Sequence, residues 1–191
     1  SGADDLTFTN TGASLSISTG DGNDVVEFTA ASTANMTYSI DMGAGSGDEL
    51  QVRDGTTFTA GTTVLTGVER INLITDGNAD NMTMTLNNSI LSGKNFVFTT
   101  ATAEVATITI DMSANEVIAD LDGLVFDNGY QAANDIIVVS EAGNLGNMTV
   151  TGTTLINQIT TGAGNDTNSG FRKNSDLFKI KAEIVNKDNL I

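Results

Sequence analysis

Residues 26–45 read VEFTAASTANMTYSIDMGAG, and residues 96–115 read FVFTTATAEVATITIDMSAN. Aligned at an offset of 70, the two stretches are identical at eight of their twenty positions. Shorter matches follow in the same order, and the sequence TGDGND at 19–24 returns as TGAGND at 161–166. Self-similarity of this kind is typical of repeat proteins, in which each unit buries its apolar face only against its neighbours.

Apolar residues alternate with Thr, Ser and other polar residues through most of the chain, as in MTMTL at 82–86 and ITI at 108–110. Clusters of Gly, Asn and Asp separate these runs, and the pattern predicts an all-β protein built from short strands. Together with the repeat, it favours a parallel β-solenoid-like array with two strands in each coil of about 23 residues. Tandem β-sandwich domains remain the alternative.

The repeat also predicts a division of the chain. Residues 1–88 form a first β repeat unit with Gly-Asp turns, residues 89–154 a second unit, and residues 155–170 the start of a third. Residues 171–191 hold five of the eight Lys and Arg residues, which indicates a basic, amphipathic C-terminal segment. This segment is interpreted as a cap on the last coil, as a secretion signal, or as a docking segment for an acidic neighbouring subunit. A weak helical pattern covers residues 114–120.

The formal net charge is −16, from 24 Asp and Glu residues against eight Lys and Arg residues. Such a chain is a poor partner for nucleic-acid phosphates. It has no His and no Cys, which excludes disulfides and the usual His- or Cys-dependent catalysis. No apolar run approaches the roughly 20 residues of a membrane span. We therefore expect neither an enzyme, nor a nucleic-acid-binding protein, nor a membrane-spanning one.

Glycine-rich turns that end in Asp are the candidate binding sites. TGDGNDVVE at 19–27 resembles the calcium-binding nonapeptide of RTX proteins, G-G-x-G-x-D-x-U-x, and TGAGNDTNS at 161–169 matches the same motif through its Asp. Looser relatives of the motif occur at 2–6 and 43–50. The candidate metal-site residues are Asp4, Gly20, Asp21, Gly22, Asn23, Asp24, Asp48, Gly162, Gly164, Asn165 and Asp166.

The chemistry of calcium gives a reason for this composition. The ion takes about six to eight hard oxygen ligands. Glycine allows tight turns whose carbonyls point inward, and Asp adds a carboxylate. Asp4, Asp24 and Asp48 follow one another at intervals of about one inferred coil. We therefore expect Ca²⁺ at stacked turns, with plain Gly-Asn-Asp turns as the alternative. Glu69 and Arg70 are interpreted as a solvated pair at a strand edge.

The sequence TGVERINL at 66–73 is similar to the G-V-E-x-I-x-L strand of Thr-rich surface-layer (S-layer) proteins and other large RTX-type secreted proteins. With the Gly-Asp turns, this resemblance covers most of residues 1–170. It implies a secreted, calcium-dependent β protein on a bacterial surface, exported by type I secretion. The function it implies is that of a structural subunit of a surface layer or matrix.

The expected partners are other copies of the chain, in a lattice or fibre, and cell-surface polysaccharide. The alternative function is that of a calcium-folded stalk or binding segment of an RTX adhesin.

Overall fold

The computed structural model describes residues 2–9, 14–31, 37–58, 63–75, 81–100, 105–112, 116–127, 129–130, 135–141, 147–161, 167–169 and 177–180. These residues form eighteen strands and one short helix. Every pairing between the strands is parallel. Within the same ranges, no helix has the length and apolar character needed to cross a membrane.

The elements in chain order are β1 (Asp5–Phe8), β2 (Leu15–Ser18), β3 (Val25–Phe28), β4 (Tyr38–Asp41), β5 (Glu49–Arg53), β6 (Thr56–Phe58), β7 (Thr63–Thr66), β8 (Arg70–Ile74), β9 (Met82–Asn87), α1 (Asn88–Leu91), β10 (Val97–Thr100), β11 (Ala106–Met112), β12 (Ile118–Asp120), β13 (Val125–Phe126), β14 (Ile136–Glu141), β15 (Thr149–Thr151), β16 (Ile156–Thr161), β17 (Thr167–Ser169) and β18 (Leu177–Ile180).

The strands wind into a parallel β-solenoid, as the sequence predicts. The first sheet has the order β1-β3-β5-β8-β10-β13, and its strands begin at positions 5, 25, 49, 70, 97 and 125. The coils that start at β8 and β10 are therefore longer than the three coils before them. The second sheet has the order β6-β9-β11-β14-β16-β18.

The third side of the solenoid consists of β2-β4-β7 and β12-β15-β17, with α1 between these two small sheets. The coil that contains β5, β6 and β7 thus has three strands, whereas the sequence predicts two. Asn88 Nδ2 donates to Ile118 O at 2.8 Å, and Gly93 N donates to Asp120 O at 2.9 Å. These bonds join the helical turn to β12 and continue the third side across the gap between the sheets.

The core consists of inward-facing residues that stack from coil to coil. Val26, Leu50, Ile71 and Phe98 occupy one register position in the first sheet, and all four are fully buried. Burial of each such side chain contributes about 1.5–3 kcal/mol. In the N-terminal coils the core is aromatic, with ring centroids 5.3–5.7 Å apart along the series Phe8, Phe28, Tyr38 and Phe58.

The constant offset of the sequence repeat does not match the coil register. Ile40 lies in β4 on the third side, whereas Ile110 lies in β11 of the second sheet. The offset keeps β3 and β10 in the same sheet, but the second sheet begins only at β6. Among the described strands, β3 is therefore followed by β4 of the third side, whereas β10 is followed by β11 of the second sheet. The helical interpretation of residues 114–120 is wrong where the structure describes them, because Ile118–Asp120 is strand β12 paired with β15.

The C-terminal segment 171–191 is described only at Leu177–Ile180. These residues form strand β18, which pairs with β16 and lies at one end of the second sheet. This part of the segment therefore continues the solenoid.

Candidate cation site at a carboxylate ladder

Four acidic residues occupy one corner of the solenoid. Asp4, Asp24, Asp48 and Glu69 each directly precede a strand of the first sheet, namely β1, β3, β5 and β8. The following strands pair in register, so the four residues are equivalent positions of successive coils. We call these four residues the carboxylate ladder. The sequence-predicted Asp4, Asp24 and Asp48 are thus brought together, whereas Glu69 was not among the predicted ligands.

Hydrogen bonds link each member of the ladder to the next. Asp24 Oδ1 accepts from Asp4 N at 2.8 Å, Asp48 Oδ1 accepts from Asp24 N at 2.7 Å, and Glu69 Oε2 accepts from Asp48 N at 2.8 Å. The carboxylates of Asp24, Asp48 and Glu69 therefore each form a charge-assisted hydrogen bond with the backbone of the preceding coil. The ladder ends at Glu69, because the equivalent residue before β10 is Phe96, which is buried.

The second carboxylate oxygens of the two central members have no partner. Asp24 and Asp48 are fully buried, and neither Asp24 Oδ2 nor Asp48 Oδ2 has a hydrogen-bond partner. A buried charge is costly unless it is paired, and an unsatisfied buried oxygen points to an ion or a water at that position. In each of these two carboxylates, one oxygen accepts a backbone N–H, whereas the other oxygen is buried without a partner.

Glycine backbones lie directly against these carboxylates. A Cβ placed on Gly45 would overlap Gly22 O and would lie 2.5 Å and 2.7 Å from the two carboxylate oxygens of Asp48. A Cβ placed on Gly22 would overlap Gly2 O and lie 3.0 Å from Asp24 Oδ1. A carbonyl oxygen and a carboxylate thus converge beside each of these glycines. Hard oxygens of both kinds are the ligands that calcium prefers, so the residues fit this ion.

The pKa of Asp24 lies below its ordinary value of 3.8. The Thr19 hydroxyl is the largest cause and the hydrogen bond from Asp4 N is the second, and together they outweigh burial, which raises the pKa. Thr19 has one hydroxyl hydrogen, and Met42 O, at 3.1 Å from the hydroxyl oxygen, competes for it. This competition is consistent with Asp24 Oδ2 having no hydrogen-bond partner. Asp24 is therefore held in its charged form at neutral pH.

The remaining predicted residues of the first motif shape the turn. Gly20 has a φ of +94°, and its carbonyl packs against Gly43 of the next coil so closely that a side chain on Gly43 would overlap it. Asp21 forms a backbone bridge with Ala44, and its side chain is exposed. Asn23 Oδ1 accepts a hydrogen bond from Ser46 N at 3.3 Å.

The predicted metal-site residues of the second motif fall in a part of the chain that the structure does not describe. Gly162, Gly164, Asn165 and Asp166 lie outside the described residues. Within the described ranges, no three acidic, His or Cys side chains cluster as a metal site. A cation at the ladder would therefore depend on backbone carbonyls as well as on carboxylates.

The interpretation of Glu69 and Arg70 as a strand-edge pair is wrong. Strand β8, which begins at Arg70, lies between β5 and β10 and is not an edge. Glu69 is half-buried and accepts the Asp48 N–H. Its spacing from Asp48, 21 positions, resembles the spacings of the Asp members, and this spacing is the signal that could have identified it.

Asp135 makes the same kind of contact at a different corner. It precedes β14 in the second sheet, is 1% exposed, and accepts a hydrogen bond from Ala106 N at 2.8 Å. Burial and the charge of Asp135 raise the pKa of the nearby Tyr130. An acidic residue directly before a strand thus recurs in this fold, and its carboxylate accepts a backbone N–H from the preceding coil.

No protein-family model, curated protein or solved structure matches this chain. A function is therefore proposed from the fold and the carboxylate ladder.

Proposed function

We propose that this chain is a calcium-stabilised architectural segment of an extracellular bacterial surface layer or matrix, and that it acts by self-assembly. The observation that carries the proposal is the pair of buried, unpartnered oxygens, Asp24 Oδ2 and Asp48 Oδ2, in carboxylates that lie close to glycine carbonyls of adjacent coils. The resemblance of the Gly-Asp turns to RTX repeats supports the same conclusion. Export by type I secretion, without nucleic-acid binding, belongs to this proposal.

The residues that would hold the ion are Asp24 and Asp48, with the carbonyls of Gly2 and Gly22. Bound calcium would supply the positive charge that two like-charged, fully buried carboxylates lack. Without that charge, Asp24 and Asp48 repel one another across adjacent coils and favour the unfolded chain. Residues 1–52 contain eight Asp and Glu residues and no Lys or Arg, so nearby side chains give little compensation.

This arrangement couples folding to the surroundings. In a compartment with little calcium, the acidic N-terminal coils would stay open and the chain would remain competent for export. Outside the cell, where calcium is abundant, the same residues would bind the ion and the coils would stack.

Electron microscopy of the purified chain with calcium and with a chelator tests the assembly. We expect ordered sheets or fibres that form with calcium and disperse with the chelator. Single particles only, at every calcium concentration, would contradict the assembly proposal.

The adhesin alternative makes a different prediction for the same samples. A stalk or binding segment would fold with calcium but remain monomeric, because its partner is a ligand and not a second copy. Binding to cell-surface polysaccharide belongs to either version and is tested by co-sedimentation with isolated cell walls.

A further inference from the structure

A cleft opens at the corner of the solenoid where the chain passes from the third side to the first sheet. It has a volume of about 270 Å³ and lies between two successive coils, lined by residues 65–68 of one and residues 94–96 of the next. Pockets for small molecules have volumes of about 300 Å³ and above, so this cleft suits a ligand about as large as one sugar ring.

At this corner, one backbone hydrogen bond regularly joins a coil to the next. The residue directly after a third-side strand donates its N–H to the last residue of the third-side strand in the following coil. Thr19 N donates to Asp41 O at 3.1 Å, and Met42 N donates to Thr66 O at 2.9 Å. The same bond recurs in later coils, from Leu121 N to Thr151 O and from Gly152 N to Ser169 O.

Gly67 is the exception to this pattern. It follows β7 as Met42 follows β4, but α1 takes the place of the strand in the next coil, and no hydrogen bond joins Gly67 N to a described residue. The segment after α1 bonds to the coil beyond it, because Gly93 N donates to Asp120 O at 2.9 Å and Ser92 Oγ accepts from Asp120 N at 3.1 Å. By its equivalence to Met42 N, the N–H of Gly67 is directed toward the next coil, and so toward the cleft.

Lys94 adds a positive charge to the same cleft. It is exposed and forms no ion pair with a described residue. None of the lining residues 65–68 and 94–96 is acidic, although the whole chain has a net charge of −16. An unpaired N–H and an ammonium group on one small cleft are the donors that a carboxylate accepts from most strongly.

The other lining residues suit the remainder of a sugar. Asn95 is exposed and offers a side-chain amide, which can donate to and accept from hydroxyl groups. Phe96 is buried, and Leu65 and Val68 are partly buried, so apolar side chains form part of the wall. A mostly apolar wall with a few polar groups is typical of sites that bind small ligands.

We propose that this cleft binds a carboxylate-bearing sugar residue of a cell-surface polysaccharide. The Gly67 N–H and the Lys94 ammonium hold the carboxylate, and Asn95 bonds to hydroxyl groups of the ring. This inference rests on the polysaccharide binding included in the proposed function, and it identifies the site and the class of sugar. For a single free sugar acid, we expect a dissociation constant on the order of 1 mM.

NMR titration of the ¹⁵N-labelled chain with glucuronate tests the proposal. Calcium is present throughout, because the bound ion would offset the negative charge of the carboxylate ladder. We expect a saturable shift of the Gly67 amide signal with glucuronate, and much weaker binding of glucose, which lacks the carboxylate, and of acetate, which lacks the ring. No saturable shift with glucuronate, or equal affinity for glucuronate and either control compound, would overturn the proposal.

Four variants test the two walls of the cleft. Lys94→Gln removes the charge, and we expect about tenfold weaker glucuronate binding, whereas Lys94→Arg keeps the charge and most of the affinity. Thr66→Trp places a large side chain at the cleft and should block it. Val64→Trp is the matched control, because Val64 is exposed on the same face of β7 but does not line the cleft. Unchanged binding by Lys94→Gln, or equal losses in the two Trp variants, would contradict the site.

The thermal shift caused by calcium is measured on the same proteins. A retained calcium shift in a wild type that does not bind glucuronate counts against the cleft alone. Absence of any calcium shift in the wild type counts against the proposed function itself.

Discussion

The backbone N–H of Asp24 donates to Asp48 Oδ1 at 2.7 Å, although the two residues belong to successive coils. One oxygen of the Asp48 carboxylate is thereby occupied by the neighbouring coil, while Oδ2 remains buried and unpartnered. The hydrogen bond and the charge of this side chain therefore have separate roles, and different substitutions distinguish them.

Asp48→Asn and Asp48→Ala separate these two roles. Asn keeps an oxygen that accepts the Asp24 N–H but removes the charge and its repulsion, so we expect the N-terminal coils of this variant to fold without calcium and the stabilisation by calcium to be lost. Ala removes the charge as well but leaves the Asp24 N–H unsatisfied, which costs about 1–3 kcal/mol relative to Asn. Urea unfolding with calcium and with chelator measures both effects. An Asn variant stabilised by calcium as strongly as the wild type would show that Asp48 is not a ligand.

Gly45→Ala tests the close approach of the coils. The new Cβ would overlap Gly22 O and crowd the Asp48 carboxylate, so we expect a loss of about 1–3 kcal/mol in the free energy of unfolding. Gly47→Ala is the matched control, because the atoms nearest to a Cβ there belong to the Asn23 side chain, at 3.4–3.8 Å, which is ordinary van der Waals contact. Chemical denaturation measures both. Equal losses in the two variants would contradict the packing at Gly45.

Thr19→Val tests the cause of the Asp24 pKa shift. Because the folded-state pKa of Asp24 is lowered, its stabilising contribution is present above the unfolded value near 3.8 and is lost as the pH falls through the folded value. Removal of the hydroxyl should raise the pKa of Asp24 and move acid unfolding to higher pH.

Carboxyl NMR titration and the acid-unfolding midpoint provide the measurements for Thr19→Val. Thr29→Val is the control, since the Thr29 hydroxyl donates to Phe8 O at 3.2 Å in the same N-terminal coils but serves no carboxylate. If the pKa of Asp24 is the same in the Thr19→Val variant as in the wild type, the Thr19 hydroxyl is not the cause of the lowered pKa.

The period-two alternation predicted an all-β protein, because inward positions such as Val26, Leu50 and Ile71 must be apolar in every coil, and the internal repeat then favoured a solenoid. The phase of the repeat could not be predicted in the same way. The second sheet begins only at β6, so the next described strand after β3 is β4 of the third side, whereas the next after β10 is β11 of the second sheet. An alignment at constant offset therefore pairs β4 with β11 although they lie in different sheets.

The candidate site was predicted only in part. The regular spacing of Asp4, Asp24 and Asp48 predicted that they lie in one column, and the structure has them there. Glu69 was missed because it does not end a glycine-rich turn of the motif type. Asp135 was missed because it precedes a strand of the second sheet and not of the first. Both are recognised by their contact with a backbone N–H of the preceding coil, which requires coordinates.

Calcium binding at the carboxylate ladder is tested most sharply by a calcium titration followed by thermal unfolding, on the wild type and on the double variant Asp24→Asn/Asp48→Asn. We expect calcium to raise the unfolding temperature of the wild type and to leave that of the double variant unchanged. An equal rise in both proteins, or no rise in the wild type, would contradict the claim that the carboxylate ladder binds calcium.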